Sequence, residues 1–329
     1  MAPPGELALI QALRTRTAAA RDPVRLGIGD DCAVLRPPRG HDILVTTDFS
    51  LEGRHFRREW HPAVSVGHRC LARGLSDLAA MGAKPLAAFL SLALPGGFTR
   101  RATGRRWVDD FFAGLLALAE QTGTSLAGGD TATAPGEAIL ADIVLLGSAP
   151  RGSELRRSGA RTGDLLYVTG SLGGAAAELE LLSEKPARFR RAVNGLDHPH
   201  LFPAPRLLVG ERLRRAGLAT AAIDLSDGLS TDLRHLCAES GTGAIVDADS
   251  IPLHPLLAGK RPEIAMDLAL NGGEDYELLF TVPEGVPVPR RVRGVPVTRI
   301  GKITRSTEIL LRSSGGSRPM AAGGWEHSL

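Results

Sequence analysis

Five times along this chain an apolar stretch runs into an aspartate beside a turn or a glycine: "GIGDD", "VTTD", "LSDLAAMG", "AGGDT" and "IDLSDG". Each delivers a carboxylate at the end of a buried element, where it can project into a shared cleft. Such a chain must fold as mixed strands and helices whose ends converge, the signature of an α/β or α+β architecture. In the first of these stretches Asp30 and Asp31 are adjacent, and like charges this close repel unless a cation or hydrogen-bond donors neutralise them.

A length of 329 residues predicts two domains of roughly 150 to 180 residues each. Residues 41–49, "HDILVTTDF", read as a strand ending at Asp48. In "SVGHRCLARGLSDLAAMGAKP", Val66, Cys70, Leu71, Leu75, Leu78 and Ala79 fall at helical spacing, closed by Gly82 and Pro85. "PLAAFLSLALP" reads as a buried strand and "RATGRRWVDDFFAGLLALAEQTG" as a helix. "SLAGGDT" and "AILADIVLLGSA" read as further strands, and "GELALIQALRTRTAAA" as a short amphipathic helix.

The polar stretch "APRGSELRRSGARTGD" is the expected linker, dividing the chain into domains 1–149 and 150–329. Beyond it come a strand, a glycine turn and a helix in "LLYVTGSLGGAAAELELL", then a helix in "PRLLVGERLRRAG". A strand in "ATAAIDLSDG", a helix from Ser230 to Glu239, and strands "YELLFTV", "VTRIGKI" and "EILLR" complete the second domain.

A net charge of +3 with no basic run gives no cause to expect nucleic-acid binding. Three cysteines, Cys32, Cys70 and Cys237, without CxxC spacing support neither a disulfide framework nor a zinc cluster. With no apolar run long enough to span a bilayer and no signal-like start, a cytoplasmic location away from membranes is expected. Cys32 and Cys70 read as small apolar core fillers.

Asp30, Asp31, Asp48, Asp77, Asp130, Asp224 and Asp227 form an all-oxygen set without histidine or cysteine, suited to hard cations such as Mg²⁺. Because Mg²⁺ completes its shell with water and substrate phosphates, several acids imply several ions around a polyphosphate such as ATP. No GxxxxGK[ST] is present, nor a GxGxxG behind a first strand, so phosphate charge must be met by metals and arginine. "TGSLGG" lacks the full fingerprint and reads as a tight packing turn. Each acid also has a plainer explanation: Asp227 as a helix cap, Asp77 as a surface partner of Arg73, Asp130 and Thr131 as turn residues. His55 alone would pass for a surface histidine, and Glu274 for a polar turn residue.

The segments "GIGDDCAVL", "TTDFSLEGRHF", "LSDLAAMGAKP", "GGDT", "RRSGARTGD", "AIDLSDGLSTDL" and "GGEDYELLFTVP", closing on "GWEH", occur in this order over nearly the whole chain. The chain thereby resembles the thiamine-monophosphate kinase family, within the aminoimidazole-ribonucleotide synthetase-like superfamily. The resemblance implies a two-domain α+β architecture: an N-terminal sheet domain that binds ATP and Mg²⁺ and pairs in a homodimer, and a C-terminal α/β domain that completes the active site. It implies direct transfer of the ATP γ-phosphoryl to thiamine monophosphate, giving thiamine diphosphate, with several Mg²⁺ ions and no covalent nucleophile on the enzyme.

By position the resemblance assigns metal binding to Asp31, Thr46, Thr47, Asp48, Asp77, Asp130 and Asp224, with Asp227 on a further ion, and Asp30 joins the candidate ligands as the other member of the acid pair. It assigns ATP contacts to Gly129, Asp130, Arg157 and Ser226, and thiamine phosphate to His55, Glu274 and Trp325. Trp325 offers a π face for the thiazolium cation. Two positions depart from the family pattern: Ala132 replaces a hydroxyl after "GGDT", and Ser328 stands where an aromatic commonly follows the histidine. Other ATP-using members of the superfamily are the alternatives, together with a nucleotide sensor without turnover. A hydrogenase-maturation scaffold needs a C-terminal cysteine, and no cysteine follows Cys237.

Overall fold

A computed structural model of the chain describes residues 6–17, 23–192, 194–195 and 197–325. The chain separates into two compact units, Met1–Leu75 with Lys84–Gly152 and Leu182–Asn194, and Ser76–Ala83 with Ser153–Leu181 and Gly195–Leu329.

The first unit begins with α1 (Glu6–Arg16) and a two-stranded ribbon of β1 (Val24–Leu26) and β2 (Val34–Leu35). Next come β3 (His41–Leu51), α2 (Ala63–Ala80), β4 (Lys84–Leu94), α3 (Ala102–Thr122), β5 (Ser125–Thr133) and β6 (Leu140–Pro150). The last turn of α2 is counted with the second unit. Strands order as β3-β6-β4-β5, with β4 and β5 parallel and the other pairs antiparallel.

The apolar stripe expected on α2 is the buried one: Val66, Cys70, Leu71, Leu75, Leu78 and Ala79 are each at most 2% exposed. Helical periodicity sets the face, and burial of each large side chain supplies about 1.5–3 kcal/mol. Helices α2 and α3 cross at paired glycines. A Cβ on Gly67 would lie 1.8 Å from the Phe111 carbonyl oxygen, and one on Gly114 would lie 1.8 Å from that of Val64. No other residue permits that approach.

On the opposite sheet face Val24 packs with Ala87 and Ala127, whereas β3 is left uncovered. On β3 the alternation leaves Ile43, Val45 and Phe49 exposed, the last two at 65% and 60%. The strand does not end at Asp48 as expected. It continues to Leu51 because β6 pairs with it in unbroken register as far as Leu51 opposite Leu140.

The second unit holds β7 (Leu165–Thr169), α4 (Gly174–Glu184), α5 (Leu207–Arg215), β8 (Ala221–Asp224), α6 (Leu229–Ser240) and β9 (Gly243–Asp247). It continues with α7 (Pro262–Asn271), β10 (Leu278–Val282), β11 (Arg291–Val292), β12 (Val295–Thr304), β13 (Ile309–Ser313) and β14 (Gly316–Pro319). Its sheet runs β14-β13-β9-β12-β7-β10-β8, with β11 attached to β12. All five residues of β10 are buried, Leu279 in one apolar cluster and Leu278, Phe280 and Val282 in the other, so the strand is covered on both faces. Both units are mixed helix and sheet, the α+β class expected. Among the described residues no helix is long and apolar enough to cross a membrane.

Candidate active site

In the first unit, the turn after β1 and the strand β5 wall a cavity of about 900 Å³ whose lining includes Gly27, Asp30, Asp31, Gly129, Asp130 and Thr131. The Asp31 amide donates to Asp30 Oδ1 at 2.9 Å, and the Thr131 amide to Asp130 Oδ1 at 2.8 Å. All three aspartates are exposed. Asp130 lies within β5 and not in a turn, a correction to the plainer reading. The doublet Gly128-Gly129 suggested a bend, but Gly129 is set in the strand opposite Leu90 with φ 149°, and a Cβ there would fall 1.9 Å from the Leu90 carbonyl oxygen. Glycine is demanded by the close approach of β4.

Cys32 also lines this cavity and is exposed, so it is not the core filler expected of it. The polar turn carries it outward with the two acids. Cys70 fits the expectation: burial pushes its thiol up to about 12, and it is inert at neutral pH.

On β3, alternation sends Thr46 and Asp48 to one face and Thr47 to the other. Thr47 Oγ1 donates to Asp142 Oδ1 at 2.8 Å, and Asp48 stands 3.7 Å from the Arg73 guanidinium. Arg73, on α2, therefore has an ion-pair partner on β3. His55 sits just past β3, and its Nδ1 accepts from the Leu51 amide at 3.0 Å. That bond leaves Nε2 as the protonated nitrogen of the neutral ring. Asp142 was not anticipated; a lone acid inside the apolar run "LADIVLL" was the available signal.

In the second unit, backbone hydrogen bonds gather residues 224–228, 274–277 and 325. The Glu274 amide donates to the Ser226 carbonyl at 2.7 Å, the Tyr276 amide to Leu225 at 2.9 Å, and the Trp325 amide to Asp227 at 3.0 Å. Glu274, Ser226, Asp227 and Trp325, named from the sequence, are thus brought together. Asp224 ends β8, is 3% exposed, and accepts from Ser76 Oγ at 2.7 Å; Asp77 is the next residue of α2. The Trp325 side chain is half exposed. Arg157 is exposed, and its carbonyl accepts from Ser240 Oγ at 2.9 Å. Residues 326–329, including Ser328, lie outside the described residues.

Gly228, and not Asp227, occupies the N-cap position of α6, a correction to the plainer reading. Asp232, unforeseen, accepts instead from the Asp227 and Gly228 amides at 3.0 Å each. Burial, and then the charges of Asp224 and Asp227, push its carboxyl up to about 8.

Asp275 and Glu277 were also missed as structural members of "GGEDYELLF". Asp275 accepts from the Gly173 and Ala175 amides at 2.7 and 3.1 Å, occupying the N-terminus of α4. Burial of the carboxyl pushes it up to about 7. The glycine turn before α4 is therefore filled from within the protein, and a Cβ on Gly173 would meet the Ala269 amide at 2.9 Å. This is the tight packing turn expected of "TGSLGG".

Among the described residues no three His, Cys, Asp or Glu side chains are grouped closely enough to hold a metal ion by themselves. Exposed oxygen donors with open coordination sites remain. They suit a cation whose shell is completed by a polyphosphate.

Residues 29–149 match the model of the AIR synthase related protein N-terminal domain, and residues 161–311 that of the C-terminal domain. The chain is 40% identical over 310 residues to the thiamine-monophosphate kinase of Escherichia coli (strain K12), covering 92% of each. It is similar to the crystal structure of thiamine-monophosphate kinase from Stenotrophomonas maltophilia K279a, at 38% identity and TM-score 0.79 over 95% of this chain and 98% of that one. A structure described as "AaThiL complexed with AMPPCP and TMP" matches at 29% identity and TM-score 0.74, over 98% of this chain and 97% of the other.

Proposed function

Because the chain belongs to the thiamine-monophosphate kinase family, we propose that it transfers the γ-phosphoryl of ATP to thiamine monophosphate in line, forming thiamine diphosphate and ADP. The observation that carries this reading is the cavity of about 900 Å³ in which exposed Asp30, Asp31 and Asp130 stand on a largely apolar wall, carboxylates for a metal-bound polyphosphate beside apolar surface for a base. A relative solved with the nucleotide analogue AMPPCP and TMP supports the choice of substrates.

The chemistry fits the side chains present. The acceptor phosphate, with a second pKa near 6, is already largely ionised at neutral pH. No strong base and no covalent nucleophile are needed. Catalysis is then mostly positioning and electrostatics.

The acids fit Mg²⁺ by donor type, and Asp30, Asp31 and Asp130 also by their exposure. Asp30, Asp31, Asp48, Asp77, Asp130 and Asp224 would hold such ions, with Thr46 and Thr47 beside them and Asp227 on a further one. Bound there, Mg²⁺ supplies charge neutralisation and orientation of the phosphates. Gly129, Arg157 and Ser226 contact the nucleotide in this reading. His55 donates from Nε2 to the acceptor phosphate, Glu274 engages the acceptor, and Trp325 stacks on its cationic ring.

Residues 1–149 carry nucleotide binding and dimerisation in this account, and residues 150–329 supply Glu274 and Trp325. The bare face of β3, with Val45 and Phe49 exposed on an edge strand, is the surface through which two copies would pair. A Phe49→Lys variant sedimenting as the wild type does would argue against that pairing. The proposed setting is cytoplasmic, where ATP and Mg²⁺ are available.

The test is incubation of the purified protein with ATP, Mg²⁺ and thiamine monophosphate, followed by chromatography of the thiamine phosphates, with free thiamine as control acceptor. Diphosphate formed from the monophosphate alone is expected. Bound ATP with no diphosphate would overturn the reading.

A further inference from the structure

Between α7 and β10 the segment Gly272–Glu277 carries three carboxylates in four residues and an unusual backbone. Glu274 and Tyr276 have φ of 57° and 49°, and Arg293 is the one other non-glycine residue with positive φ among those described. Side-chain-bearing residues adopt this region at a cost, and keep it only where the surroundings over-determine it. Here two inward anchors do so. Asp275 occupies the α4 N-terminus, and Glu277 Oε2 accepts from Arg206 Nε and Thr169 Oγ1, each at 2.6 Å. With Asp275 and Glu277 pinned on its C-terminal side and its own amide on the Ser226 carbonyl, Glu274 keeps its side chain 24% exposed.

Behind Glu274 stands His200, whose side chain is 1% exposed and whose Nδ1 lies 3.3 Å from Glu274 Oε2. His200 is itself held. Its amide and that of Leu201 donate to Glu178 Oε2 at 2.8 and 3.2 Å, and the other oxygen of this buried carboxylate lies 2.6 Å from His198 Nδ1. A buried acid thus commits both oxygens to residues 198–201, and that run presents one imidazole to the strained loop.

We propose that His200 is a positioning residue: through its contact with Glu274 it fixes the carboxylate that receives the thiamine monophosphate acceptor, without touching the acceptor itself. The inference rests on the reading that Glu274 binds the acceptor. It adds a second layer to the site, in which Glu178 places His200 and His200 places Glu274.

The test separates acceptor affinity from turnover. His200→Phe keeps the ring volume and removes the nitrogen; His200→Asn restores a polar atom where Nδ1 stood. The phenylalanine variant should raise KM for thiamine monophosphate about tenfold, with kcat and KM for ATP within about twofold, and the asparagine variant should recover most of that loss. In a Glu274→Gln background, His200→Phe should add less than about twofold, because its route of action is already cut. His200→Leu serves the same test if the phenylalanine variant does not fold.

An unchanged acceptor KM in His200→Phe, equal changes in both KM values, or full additivity with Glu274→Gln would overturn the inference. If Glu274→Gln itself leaves the acceptor KM unchanged, the reading of Glu274 fails and the inference falls with it. An impaired Glu274→Gln beside a silent His200→Phe overturns the inference alone.

Discussion

In the first unit, Asp30, Asp31 and Asp130 stand exposed on a cavity wall, and the carboxylates of Asp30 and Asp130 accept from the amide of the following residue. In the second unit, Asp232 and Glu277 are at most 4% exposed, and each is met by a partner distant in the chain or by a pair of amides. An exposed carboxylate costs the fold little and keeps its lone pairs for a ligand. A buried one must be satisfied by the protein itself, and becomes part of what holds the loops in place. The first group is built to bind and the second to brace, so substitutions in the two groups should separate activity from stability.

The largest expected effect breaks a brace. Glu277→Gln leaves the Arg206 guanidinium, 18% exposed, without its counter-charge, which should destabilise the fold by about 3–5 kcal/mol in denaturant unfolding. A loss below about 1 kcal/mol would show that the buried pair is dispensable. Next, Asp130→Asn should lower kcat at least about a hundredfold, or ~2.7 kcal/mol in barrier, with the melting temperature within about 2 °C of the parent. Equal losses of stability in both variants would erase the distinction between the groups.

A pH series sharpens the comparison further. Burial pushes the Asp275 carboxyl from the ordinary aspartate value of 3.8 up to about 7. Between those values the folded chain keeps a proton that the unfolded chain has released, so this group's contribution to stability falls as pH rises from about 4 to 7 and levels off above. The decline is at most about 1.4 kcal/mol per pH unit. Asp275→Asn should flatten that part of the melting-temperature profile relative to the parent; parallel profiles from pH 5 to 8 would contradict it.

The chain announced its scaffold more openly than its bracing. The stripe on α2 and the uninterrupted apolar run of β4 follow from periodicity, which is local information. Asp30, Asp31 and the acid of "GGDT" were visible as acids placed against glycine. The strand setting of Asp130 was not, because the approach of Leu90 that requires Gly129 comes from another strand. Asp275 and Glu277 were hidden for the same reason. Their partners lie far away in sequence, Gly173 by 102 residues and Arg206 by 71, and nothing near them distinguishes an anchor from a turn residue. Cys32 misled because its apolar neighbours suggested an inward path that the polar turn does not take.

The most direct test of the central claim is calorimetric titration of the wild type and Asp130→Asn with a non-hydrolysable ATP analogue, with and without Mg²⁺. If the exposed acids of the first unit carry the nucleotide through Mg²⁺, the wild type binds only with the metal, and Asp130→Asn binds at least about tenfold more weakly at unchanged melting temperature. Binding of equal strength without Mg²⁺, or undiminished by the substitution, would contradict the account.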